Sequence, residues 1–123
     1  MRTAAALTLA ALVTVAAAAT AAAQKNPVKP TKESIAAGKA MFQQTCASCH
    51  GMEGKGDGPA AVALNPKPAN FTKGQFKHGD TDAAIFKTIS TGVPGTGMVG
   101  WSSIPEKDRW NLVNYIKSLG PKK

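Results

Sequence analysis

Fifty residues in the middle of the chain, Gly51 to Gly100, carry 10 of its 12 glycines together with Pro59, Pro66, Pro68 and Pro94. Glycine and proline at that density mark turns and loops, so most of this stretch has little regular structure to offer. A loop-dominated segment of such length is unusual inside a compact domain and normally has a functional reason. The flanks do not compensate. Of the 100 residues from Gln24 onward, 17 are Leu, Ile, Val or Phe, with two Trp, one Tyr and three Met beside them. The same residues include 14 basic and 7 acidic side chains, a balance of +7. So lean a composition with that charge ordinarily gives disorder or a marginal core. A chain of 123 residues has room for one domain, and this one needs something besides side chains at its centre.

The first 23 residues differ from the rest: 12 are Ala, five are Leu or Val, the only charge is Arg2, and Ala21-Ala22-Ala23 precedes Gln24. A basic start, an uncharged run and a small-residue site are the three parts of a secretory signal peptide. Cleavage is expected after Ala23. The resulting layout is a signal peptide over 1–23, a flexible tether over 24–30 with Lys25, Lys29 and two prolines, and a folded domain over 31–123. A retained anchor is the alternative, because about 20 uncharged residues can span a bilayer. No stretch after Gln24 is apolar for long enough to be a transmembrane helix. The mature protein is therefore expected to be periplasmic and soluble, or held at a membrane only by its N-terminus.

Three helices are predicted. Thr31 caps the first, which runs to about Cys46 with Ile35, Gly38, Phe42 and Thr45 on one stripe. The second spans about Asp82 to Ser90, with Ile85, Phe86 and Ile89 facing inward and Gly92 as its stop. The last follows Ser103-Ile104-Pro105-Glu106, which reads as a capping box, and carries Trp110, Leu112, Val113, Tyr115, Ile116 and Leu119 before Gly120-Pro121. No strand-like alternation is long enough to compete.

Between the first helix and the loops stands Cys46-Ala-Ser-Cys49-His50. Two cysteines in an exported chain would usually suggest a disulfide, but this spacing, followed directly by His, is that of c-type haem attachment. Thiols at i and i+3 lie on one side of a helical turn, so both can add to the vinyl groups on one side of a porphyrin while the adjacent imidazole faces the iron. A haem also supplies the large apolar body that the composition lacks. A dithiol redox site would belong with a strand and helix pattern that is absent here. Zinc would need a fourth ligand, for which His78 is the obvious candidate.

With these residues in view, the chain resembles the small monohaem class I cytochromes c of bacteria over essentially all of Ile35 to Leu119. The shared pieces are Gly38 and Phe42 ahead of Cys46-Ala-Ser-Cys49-His50-Gly51, then Gly54-Lys55-Gly56-Asp57-Gly58-Pro59, Pro68-Ala69-Asn70-Phe71-Thr72, Gly97-Met98, and Leu112-Val113-Asn114-Tyr115-Ile116. The resemblance implies an all-α fold whose N- and C-terminal helices cross, with loops wrapped around one haem c held through Cys46 and Cys49.

Whether a second protein ligand closes the iron decides the function. The mature chain offers Met41, Met52, Met98 and His78. Met52 lies two residues from His50 and cannot wrap around the ring at ~3.6 Å per residue. Met41 precedes Cys46 on the same helix and reads as core or helix surface. Met98, 48 residues beyond His50, sits in a glycine-rich loop long enough to reach the other haem face, and the resemblance implies that it is the distal ligand; His78 and an open position are the alternatives. Many relatives have proline directly after this methionine, whereas here it is Val99. The resemblance also implies that the carbonyl of Pro59 accepts the second N–H of His50, against a plain Gly-Pro turn. Trp101, Asn70, Lys73 and Trp110 are candidates for the haem propionates or the ring edge, as well as for ordinary core or surface duty.

These residues point to a one-electron carrier with His/Met ligation and not to an enzyme, and Met ligation raises the potential relative to two His ligands. A haem protein with an open or displaceable sixth ligand, acting as a peroxidase or gas sensor, is the alternative, and a thiol or zinc protein without haem is a third. Lysines at 55, 67, 73, 77, 87, 107 and 117 would steer an acidic redox partner if several ring the haem edge. Nucleic acid is not expected, because basic and aromatic residues are not interleaved, and a monomer is.

Overall fold

A computed structural model describes residues 24–122, and the expected signal peptide over 1–23 lies outside the described residues. Among the described residues there is no strand, and no helix is long and apolar enough to cross a membrane. The domain is all-α.

Helix α1 spans Lys32–Thr45, with the Thr31 hydroxyl accepting from the Ser34 N–H at 3.2 Å. A one-turn helix α2, Ala47–His50, follows at once. Two short 3₁₀ turns, Pro59–Ala63 and Phe71–Lys73, interrupt the long loop. Helix α3 spans Asp82–Thr91 and is capped by Thr81, whose hydroxyl accepts from Ala84 N–H at 3.1 Å. Helix α4 spans Glu106–Ser118.

The capping box expected at the start of α4 is not formed. Ser103 and Ile104 belong instead to a turn closed by the Ile104 N–H on the Trp101 carbonyl at 3.0 Å, which buries Ile104. The helix therefore begins at Glu106 with Pro105 as its cap and no side-chain cap bond.

Helices α1 and α4 pack across Gly38, where a Cβ would run into the carbonyl of Asn111 and the side chain of Tyr115. Beside this crossing lies a buried polar network. Ser34 donates to Asn111 Oδ1 at 2.8 Å, while Asn114 Nδ2 donates to Ser34 Oγ at 2.8 Å and to the Val28 carbonyl at 3.0 Å. Asn26 Nδ2 in turn donates to Asn114 Oδ1 at 2.8 Å, and Val28 packs on the core. The segment expected to be a flexible tether is thus tied down at Asn26 and Val28, because α4 supplies it with both polar partners and an apolar seat. Phe42, Trp110, Leu112 and Val113 are fully buried at the centre. Helix α3 joins them through Phe86, which stacks on Trp110 with ring centroids 3.9 Å apart and carries the Arg109 guanidinium 4.8 Å from its own ring centre.

Candidate functional site

The site begins where α1 gives way to α2. Cys46 N–H still bonds to the Phe42 carbonyl at 2.8 Å, and its own carbonyl accepts from His50 N–H at 2.9 Å, so one continuous turn carries both cysteines and the histidine. Gly51, at φ +81°, ends that turn, a conformation that favours glycine. The following loop folds back and satisfies the freed carbonyls: Gly56 N–H bonds to His50 O at 2.7 Å and Gly58 N–H to Cys49 O at 3.1 Å.

Gly56 does more than turn. A Cβ there would lie 2.6 Å from the Pro68 carbonyl, so its bareness lets the 68–70 segment approach closely. Phe71 N–H completes that approach on the Gly54 carbonyl at 2.8 Å. In consequence the Ala69 carbonyl lies 3.1 Å from His50 Nδ1, which donates to it, and the Phe71 ring stacks on the imidazole at 4.7 Å. This corrects the expectation for Pro59. Gly58 packs its bare Cα against the Ala47 and Ser48 carbonyls, and Pro59 emerges exposed on the back of α2, where it shares a shallow hollow with Met52.

Cys46, Cys49 and His50 line a cavity of about 670 Å³, within the ~300–1,000 Å³ range of small-molecule and cofactor sites. Phe42, Phe71, Ile85, Ile89, Trp101 and Ile116 give it apolar walls. Burial pushes the His50 pKa down, against a smaller opposing effect of the Ala69 carbonyl, and so favours the neutral imidazole. With Nδ1–H engaged, Nε2 is the nitrogen left to ligate. Burial also pushes the Cys46 thiol up, with the Thr45 hydroxyl opposing and Cys49 adding to the rise. No disulfide joins the two cysteines.

Met98 lines the same cavity from the loop after α3. Val93 N–H closes that loop on the Met98 carbonyl at 2.9 Å, and Gly92, at φ +70°, sits where a Cβ would be 2.5 Å from the same carbonyl. Of the other candidates, Met52 is 58% exposed and Met41 packs against the core, neither lining the cavity, whereas the exposed His78 does line it. Asn70 and Trp101 are cavity residues too. Lys73 and Trp110 are not: Trp110 is fully buried and donates its indole N–H to Glu106 at 3.3 Å.

Sequence reasoning missed the part played by Ala69 and Phe71. A carbonyl acceptor carries no side-chain signature, although two prolines ahead of an aromatic residue mark extended chain leading to an anchor. Among the described residues no three His, Cys, Asp or Glu side chains gather as a metal site of their own, which leaves the zinc alternative without a ligand set. Two thiols one helical turn apart, an oriented imidazole, a thioether and apolar walls fit a haem.

The family model for cytochrome c matches residues 35–120. Cytochrome c-554(547) of Halothiobacillus neapolitanus is 36% identical over 88 residues, 68% of this chain and 94% of that protein. Cytochrome c of Tetrahymena pyriformis is 32% identical over 96 residues, 68% of this chain and 86% of that one. Among solved structures, a chain of the Kuenenia stuttgartiensis reducing HAO-like protein complex superposes with a TM-score of 0.72 at 36% identity, over 77% of this chain and 47% of that chain, so this chain spans about half of it. The cytochrome c family binds covalent haem c, for which this chain has two cysteines at the expected spacing. With motif, fold and relatives in agreement, the chain belongs to the cytochrome c family, as a monohaem c-type cytochrome of class I.

Proposed function

We propose that this cytochrome is a periplasmic one-electron carrier, not an enzyme, and that His50 and Met98 would ligate the iron of a haem c held through Cys46 and Cys49. The observation that carries this reading is the meeting of all four side chains on one apolar cavity. When bound, haem c supplies an iron that exchanges single electrons, at a higher potential with Met and His than with two His ligands. The chain's own residues do the rest. The Ala69 carbonyl and the Phe71 ring hold the imidazole in one orientation, and Phe42, Ile85, Ile89 and Trp101 exclude water. With the Met98 thioether also held to the iron, exogenous molecules would find no place to react.

Redox proteins are the partners, and the exposed Lys67 and Lys77, which line the cavity, favour acidic ones. Residues 1–23 serve as the export signal, and the Ala69 carbonyl takes the place the resemblance gave to the Pro59 carbonyl in orienting His50. Every residue that would hold the haem comes from this one chain, as suits a protein acting as a monomer. Substituting Met98→Ala in the haem-loaded protein tests the reading. The weak sulfur-to-ferric-iron charge-transfer band should disappear, the potential should fall, and cyanide should bind. An unchanged spectrum would overturn the assignment and make His78→Ala the next variant to measure.

A further inference from the structure

The loop that carries Met98 has an unusual problem of rigidity. Between Gly92 and Gly100 it contains Gly95 and Gly97 as well, and the residue after Met98 is Val99, 58% exposed. Glycines widen the range of conformations that must be given up when a loop is ordered. A ligand on such a loop would spend part of its time elsewhere unless something held the two ends together.

The Thr96 side chain does this together with the backbone, where Val93 N–H bonds to the Met98 carbonyl and Thr96 N–H to the Val93 carbonyl at 3.2 Å. Its hydroxyl accepts from the Met98 N–H at 3.2 Å and donates to the Val93 carbonyl at 2.8 Å. Val93 N–H in turn donates to the Met98 carbonyl at 2.9 Å, so one half-buried hydroxyl stands in the middle of a closed hydrogen-bonded ring whose ends are Val93 and Met98. A hydroxyl has one proton to give, and here it is given within the loop. Gly97 allows the ring to lie against Leu64, because a Cβ at 97 would meet that side chain at 2.6 Å.

We propose that Thr96 is a positioning residue which, through this two-sided hydrogen bond, holds Met98 in place as the iron ligand. The proposal rests on the reading that Met98 ligates. Its consequence is a competition: the better the loop is pre-organised, the harder it is for an outside ligand to displace the thioether.

Imidazole titration of the ferric, haem-loaded protein, followed by the charge-transfer band, measures that competition. Thr96→Val keeps the shape and removes the hydroxyl, and should raise the affinity for imidazole about tenfold, the effect of losing one to two modest hydrogen bonds. Thr96→Ser restores the hydroxyl and should return the affinity to within about twofold of the parent on the same scale. Thr81→Val serves as the control, because it removes the cap bond of α3 and so lowers stability away from the loop. It should leave the imidazole affinity where it was. An unchanged affinity in Thr96→Val overturns the proposal, and so does an equal rise in Thr81→Val, which would make the effect one of general stability. Met98→Ala separates the two readings. If it binds imidazole no better than the parent, the ligand assignment itself fails; if it binds far better while Thr96→Val does not, only the role of Thr96 fails.

Discussion

His50 owes its orientation to one backbone carbonyl and one aromatic ring, and both come from the same six-residue stretch, 66–71. Phe71 is the more testable of the two. It is buried, stacks on the imidazole at 4.7 Å with an interplanar angle of 23°, and meets Phe42 edge-on at 6.2 Å. Phe71→Ala should cost about 3–5 kcal/mol, the usual effect of emptying a buried phenylalanine site, and Phe71→Leu distinctly less. Urea unfolding of the haem-loaded protein measures both, and a loss below about 1 kcal/mol for the alanine variant would mean that the ring is not part of the packed core. At this scale the sequence was most legible where side-chain chemistry itself is the signal. Cys46, Cys49 and His50 announce themselves by spacing. The acceptor of the His50 N–H does not, because any residue has a carbonyl, and the choice of Ala69 over Pro59 depends on how Gly56 and Gly58 let distant segments pack.

Among the elements, the α1/α4 crossing sets the frame on which the cavity hangs. Two considerations of opposite sign meet at Gly38. As a residue in mid-helix it should be improved by alanine, by ~1 kcal/mol on intrinsic propensity. As a contact point it should tolerate nothing larger, since the atom a new Cβ would strike is the Asn111 carbonyl, which cannot rotate away. The contact should win: Gly38→Ala is expected to destabilise by about 1–3 kcal/mol, toward the upper end because helix backbones must separate. A thermal unfolding midpoint above that of the parent would show that the helices do not cross there. The first helix start was legible in the sequence at Thr31, whose hydroxyl precedes the helix and accepts from an N–H three residues on; Thr81 caps α3 in the same way. Ser103 offers the same signal at α4, yet burial of Ile104 draws that serine into a turn. Local capping chemistry lost to the packing of one apolar side chain. The tie between Asn26, Val28 and Asn114 was hidden for a related reason, because its partners lie 86 to 88 residues apart.

On the scale of the whole molecule, a thin set of apolar residues and a long glycine-rich loop make sense together only around a central cofactor. The fully buried side chains are few, and the walls of the cavity are made by residues that would otherwise be the rest of a core, among them Ile85, Ile89 and Ile116. That much could be read from composition, since so lean a chain needed something at its centre. The path of the loop could not, because glycine permits conformations without selecting one. On the proposed ligation, two residues of the chain would close the iron, so that it carries electrons without reacting with small molecules. The decisive measurement is a titration of the reduced parent protein with carbon monoxide at neutral pH. The absorption spectrum should not change as the gas is added, whereas ready formation of a carbon monoxide adduct would mean that the iron is open.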